Sequence, residues 1–138
     1  MTVTSKFEQA FLDMVRGQIN DPSFAFAWAR LPQGAPVEGR KEVVFFYAPG
    51  GDRQALLAGG ISAEHGRKVQ VSIFSVNVQD AKDAAKAIHA LLDGWRGTLS
   101  DGSTIFNVVP GMQDIDSFDN DERVFQTVFD YTVRMVEG

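Results

Sequence analysis

Two histidines, a run of carboxylates and two glycine pairs are the residues of this chain whose types and spacing bear on chemistry. An imidazole at His65 or His89 would supply a proton shuttle or a metal ligand near neutral pH. His65 lies in a glycine-flanked segment and His89 at the border of an apolar helical stripe, and neither stands in an H-E-x-x-H spacing. They are read as a surface and a helix-flank histidine. Asp114, Asp116, Asp119, Asp121 and Glu122 form the densest acidic run. A calcium loop wants oxygen ligands at its first, third and fifth positions and glycine at its sixth. Counted from Asp114, the fifth position is Phe118 and the sixth Asp119, so the run reads as a solvated acidic loop. Gly50-Gly51 and Gly59-Gly60 expose bare backbone amides of the kind that cradle phosphates, but no Gly-Lys-Ser/Thr ending and no G-x-G-x-x-G accompany them. No G-x-S-x-G elbow is present either. With Cys absent, no thiolate site, disulfide framework or cysteine nucleophile is available. No catalytic, cofactor-binding or metal-ligating residue is expected.

Composition narrows the class further. At 138 residues the chain has the size of one domain with one core. Hydrophobic residues at 44% and charged residues at 22% suit a globular protein, with eleven Phe as large core pieces. A net charge of -5 without a Lys/Arg cluster disfavours tight nucleic-acid binding. The longest apolar run, Val43 to Ala48, is far short of the roughly 20 residues a membrane span needs, and Met1 to Phe11 lacks a basic patch followed by an apolar run. The expectation is a soluble protein without a standard export signal.

The elements that would position these residues follow from periodicity. Ser5 and Glu8 make a capping box, and Phe7, Ala10, Phe11, Met14 and Val15 recur at helical spacing, predicting a helix over 6–18 that ends at Asn20-Asp21-Pro22. Phe24, Phe26 and Trp28 alternate with alanines as a first strand, and Val43 to Tyr47 reads as a second, across a Pro- and Gly-rich connection from Leu31 to Arg40. Lys68 to Asn77 alternates strictly as a third strand. Asp80 opens a second helix with its apolar face on Ala81, Ala84, Ala85, Ile88, Leu91, Leu92 and Trp95, ended by Gly94 and Gly97. Thr104 to Val109 is a fourth strand, Pro110 to Asp121 an acidic loop, and Glu122 to Val136 a long fifth strand. The expected fold is a single α+β domain over 1–138, ordered α-β-β-β-α-β-β, with a mostly antiparallel sheet and two helices packed on one face.

The pattern fails between about 49 and 67, which predicts a long loop or arm. Its residues Leu56, Leu57 and Ile61, flanked by Asp52, Arg53, Glu64, His65 and Arg67, set apolar anchors among mixed charge, a composition suited to docking on a protein surface.

Three runs carry a resemblance. They are Val69-Gln-Val-Ser-Ile-Phe-Ser-Val-Asn77, Gln79-Asp-Ala-Lys-Asp-Ala-Ala-Lys-Ala-Ile88 and His89-Ala-Leu-Leu-Asp-Gly94. Together they resemble the strand-helix centre of the bacteriophage tail-terminator family, also called tail-completion or minor tail protein U-like proteins. The closing run Arg123-Val-Phe-Gln-Thr-Val-Phe-Asp-Tyr-Thr-Val-Arg134 is similar to that family's last strand, and the helix from Phe7 to Val15 occupies the expected place. The resemblance implies a non-enzymatic virion protein, made in the host cytoplasm, that forms a homohexameric ring at the head-proximal end of the tail. Its implied partners are itself, the major tail tube protein and the head-tail connector or stopper, with no cofactor, no membrane and no specific hold on the DNA passing through. Two other readings stay open: another phage neck or head-closure component, and a small ligand-binding α+β domain.

Overall fold

The computed structural model describes residues 6–29, 39–48, 64–111, 114–120 and 124–136, with the backbone alone for Glu64, His65 and Asp119. The elements, in order, are α1 (Lys6–Gln18), β1 (Phe24–Trp28), β2 (Lys41–Tyr47), β3 (Glu64–Ser75), α2 (Val78–Leu92), β4 (Gly97–Thr98), β5 (Thr104–Pro110), β6 (Ile115–Asp119) and β7 (Val124–Val136). They form the expected α+β fold, two helices against one face of a seven-stranded sheet. The sheet runs β1-β2-β3-β7-β5-β4, with β6 also beside β7.

Alternation dictates which face of the sheet is dry. Val43 and Phe45 on β2, Val69, Val71 and Ile73 on β3, and Phe129, Tyr131, Val133 and Met135 on β7 all lie within the core. The register places them side by side, with Phe45 opposite Val71 and Val71 opposite Phe129. Both helices close over this face. Phe7, Ala10, Phe11, Leu12 and Val15 are the buried residues of α1, and Ala81, Ala84, Ala85, Ile88 and Leu92 those of α2. Three alanines on the buried stripe let α2 lie close to the strands beneath it.

An aromatic cluster joins α1 to the β1–β2 end. The Phe11 ring meets Trp28 at 5.9 Å and Phe45 at 5.4 Å, both edge to face, the geometry in which ring quadrupoles attract.

The structure departs from the sequence reading in four places. First, α2 starts earlier: Asn77, read as the end of a strand, is the N-cap, and its Oδ1 accepts from the Gln79 N–H at 2.8 Å and the Asp80 N–H at 3.3 Å. The helix ends on Asp93, with Gly94 at φ 75° beyond it and Trp95 outside the helix but packed on the core. Second, the stretch read as an acidic loop contains β6, paired with β7 from Ile115↔Val128 to Asp119↔Val124. Third, the predicted arm is shorter at its C-terminal border, because residues 64–67 are already the start of β3, paired to β7. Fourth, Gly97, read as a helix terminator, belongs to a short strand β4 paired with β5. The sheet is mostly antiparallel as expected, with β1 and β2 as the parallel pair among those described. Ser5 of the capping box and the arm from 49 to 63 lie outside the described residues.

Strands β5 and β6 run along the same side of β7, with the connection between them bounded by Gly111 and Asp114. At its start Gly111 donates its N–H to the Asp130 carbonyl at 3.0 Å. A Cβ built there would stand 2.1 Å from Asp130 Oδ1, so only glycine fits without displacement. Asp130 is itself buried, and Lys68 Nζ lies 3.8 Å from its Oδ2.

Two substitutions probe this frame. Phe11→Ala should cost about 3–5 kcal/mol in urea unfolding, as for large buried aromatics. Gly111→Ala should cost about 1–3 kcal/mol, because the added methyl overpacks the contact with Asp130, and amide exchange should show the loss concentrated in β5 and β6.

Candidate functional site

Of the eight arm residues singled out from sequence, Asp52, Arg53, Leu56, Leu57 and Ile61 lie outside the described residues. Glu64 and His65 contribute backbone to the first turn of the β3–β7 ladder, opposite Val136 and Met135. Arg67 is engaged inside the molecule: its Nη1 donates to Tyr47 Oη at 2.8 Å, and its guanidinium covers the Phe7 ring at 5.3 Å and the Tyr47 ring at 5.2 Å. Planar stacking and a directed donor together fix this side chain between α1 and β2.

A site the sequence did not disclose is built around His89. The last turn of α2 aims its ring at β7, where it packs on Phe129 with ring centroids 4.1 Å apart. Its Nδ1 is in hydrogen-bond contact with Tyr131 Oη, and its Nε2 lies 2.7 Å from Asp114 Oδ1. The expected helix-flank histidine is thus half-buried and tied at both nitrogens. Tyr131 is 42 residues away and Asp114 is 25, separations over which helical spacing carries no information.

Burial pushes the Tyr131 phenol above its ordinary value, and the negative charges of Asp93 and Asp114 push it further in the same direction. The phenol therefore stays neutral, and in the tautomer with its proton on Nε2 the imidazole donates to Asp114 Oδ1 and accepts the Tyr131 O–H at Nδ1. The order carboxylate–imidazole–hydroxyl is that of a nucleophilic triad. Here Tyr131 is 1% exposed and packs within the core. The arrangement works as a clamp, tying α2 to Asp114 at the entrance to β6.

Beside the clamp is a cleft of 330 Å³ lined by Lys82, Lys86, His89, Asp114, Asp116 and Thr127 among others. Thr127 Oγ1 donates to Asp116 Oδ1 at 2.8 Å, fixing one acid of the former "loop" against β7. A second cleft, of 380 Å³, lies at the opposite end of the sheet, where Arg16, Asp21, Phe24 and Phe26 meet. Among the described residues no group of three or more His, Asp or Glu side chains gathers as a metal site, and no helix is long and apolar enough to cross a membrane.

The exposed large apolar side chains are unevenly placed. Phe106, Val109, Ile115 and Phe118, between 42% and 54% exposed, all lie on β5 and β6, and only Tyr47 and Val78 lie elsewhere among the described residues. This edge was missed because the acids interleaved with Ile115 and Phe118 mask the strand pattern; the Asp119-Asn120-Asp121 turn signal before Val124 was the available clue.

The clamp gives a pH prediction. Because the fold keeps Tyr131 neutral where an unfolded chain would ionise it, its contribution to stability is complete below about pH 10 and is lost as pH rises toward the folded-state value. Wild type should therefore hold its stability advantage over Tyr131→Phe up to about pH 10 and lose it progressively as pH rises above that, read from urea midpoints at each pH.

No family model matches the chain. No curated protein matches it either. Among solved structures, a chain from the "Virion of native gene transfer agent (GTA) particle" is similar at TM-score 0.58 and 14% sequence identity, over 94% of this chain and 90% of that chain. At that identity the match establishes a shared fold, and it does so across nearly the whole length of both chains.

Proposed function

We propose that this protein is a structural component of a phage-type virion, and more specifically a ring subunit that caps the tail tube, ends its polymerisation and joins the tail to the head-tail connector. The observation that carries the reading is the fold shared with a virion chain over 94% of the present one. The strand-helix runs quoted above, which resemble the tail-terminator family, supply the finer assignment. A concentration of exposed apolar side chains on β5 and β6 is what a protein that docks on others requires.

On this reading the work is geometric. A ring seated on the end of a helical stack presents no surface on which the next tube subunit fits, so growth stops without any bond being made or broken. The partners are further copies of this chain, the tube protein below and the connector above. The product resides at the head-proximal end of the tail after synthesis in the host cytoplasm. The acids of the chain let DNA pass without a hold on its phosphates.

Charge sets a condition on assembly. Each copy carries -5, and six in one particle repel one another over about 10 Å at ordinary ionic strength. Raising salt from about 10 mM to 150 mM shortens that reach while leaving direct contacts in place. Light scattering should therefore show a mass near one subunit at the lowest salt and a ring-sized mass at the higher, and electron micrographs of tube protein mixed with these rings should show short tubes capped at one end. A single-subunit mass at every salt and concentration, together with unaltered tube lengths, would remove the reading.

A further inference from the structure

The two ends of the sheet differ in the backbone groups they leave open, and they match each other. At the β1 end the Ala29 N–H donates to the Phe45 carbonyl at 2.7 Å and the Ser23 carbonyl accepts from the Lys41 N–H at 2.8 Å. Odd-numbered residues thus turn their backbone toward β2, and Phe24, Phe26 and Trp28 turn theirs outward. Two outward groups are used locally: the Phe24 N–H donates to the Asp21 carbonyl, and Arg16 Nη2 donates to the Phe26 carbonyl at 3.1 Å.

At the other end, the Gly111 N–H bonded to the Asp130 carbonyl shows that even-numbered residues of β7 face this side. By alternation Ile115 and Ser117 bond to Val128 and Gln126, which leaves the backbone of Asp116 and Phe118 outward. The neighbouring stretch of β5 is closed, because the Val108 carbonyl accepts from the Gly94 N–H and Pro110 has no N–H to offer. Among the described residues, β6 offers the longer open edge at this end, the terminal β4 being only two residues long.

We propose that β6 of one copy pairs with β1 of the next, so that neighbouring sheets continue into one another head to tail. This rests on the ring reading above and names its contact. Both strands are five residues long. On the helix side, Phe24, Phe26 and Trp28 would continue the row begun by Phe118 and Phe125, whose rings lie 4.5 Å apart. On the other side, the small Ala25 and Ala27 leave room for Ile115, the most exposed large apolar residue among those described. Arg16 and Lys41 border the β1 edge together with Asp21, Lys41 reaching over the Phe24 ring at 4.9 Å, whereas residues 114–122 hold five acids and no base. A contact between two different surfaces of identical subunits propagates in one direction and closes into a ring when its rotation divides the circle.

The absence of native cysteine makes the test clean. Ala25→Cys and Ile115→Cys both lie on the helix-free face of the sheet. After mild oxidation the double variant should run as a ladder of covalent multimers on a denaturing gel, a mixture of the two single variants should give dimer alone, and each single variant should stay monomeric. Ile115→Lys, at an exposed position, should weaken self-association at least tenfold with an unchanged melting temperature. Dimers from one single variant would show a two-fold contact and overturn the proposal. So would an oligomer whose double variant does not cross-link, in which case the ring itself stands. A cross-linked ladder that leaves tube length unaltered would uphold this contact and sink the capping role, and a monomer under all conditions would sink both.

Discussion

From Glu64 to Ser75 every residue of β3 faces a partner on β7, with no bulge to interrupt the ladder. This pairing fixes the pleat of the whole sheet, since a slip of one residue would turn Val69, Val71, Ile73, Phe129, Tyr131 and Val133 out of the core together. The other strands take their positions from it: β2 and then β1 on the outer side of β3, and β5 and β6 on the outer side of β7. Helix α2 is the connection that leaves β3, and its alanine stripe returns it across the same ladder. Even His89 is oriented by it, because the residues it touches, Phe129 and Tyr131, alternate onto the helix side of β7.

How much of this was legible from sequence depended on how local the cause was. Helix α1 runs over the predicted residues because its spacing, its Asp21-Pro22 stop and its burial agree within one segment. The alternation of β3 and β7 was readable because each has one dry face. Strand β6 was not, since its inward partners are on β7 and its own residues, Ile115-Asp-Ser-Phe-Asp119, show no period of two in polarity. Asn77 was misplaced for a related reason: an asparagine continues an alternating strand on paper, and only its bonds to Gln79 and Asp80 make it a cap. The parallel direction of β1 has no local signature at all.

The candidate site divides in the same way. The sequence drew attention to His89 and to the acids from Asp114 onward but treated them as separate surface features. Folding brings them together through a tyrosine that belongs to a strand read purely as core. Arg67 changed character in the opposite direction, from a docking residue of an arm to an internal brace over Phe7 and Tyr47.

The place of β7 in the chain has a consequence for synthesis. It is the centre of the sheet, yet every other strand and both helices precede it. Its partners on β3 are roughly 50 to 70 residues upstream, so the ladder is a long-range closure that local structure cannot anticipate. On the ribosome, β1, β2 and β3 emerge without the strand that aligns them with β5 and β6, and neither sheet edge exists as a rigid surface until β7 has been translated.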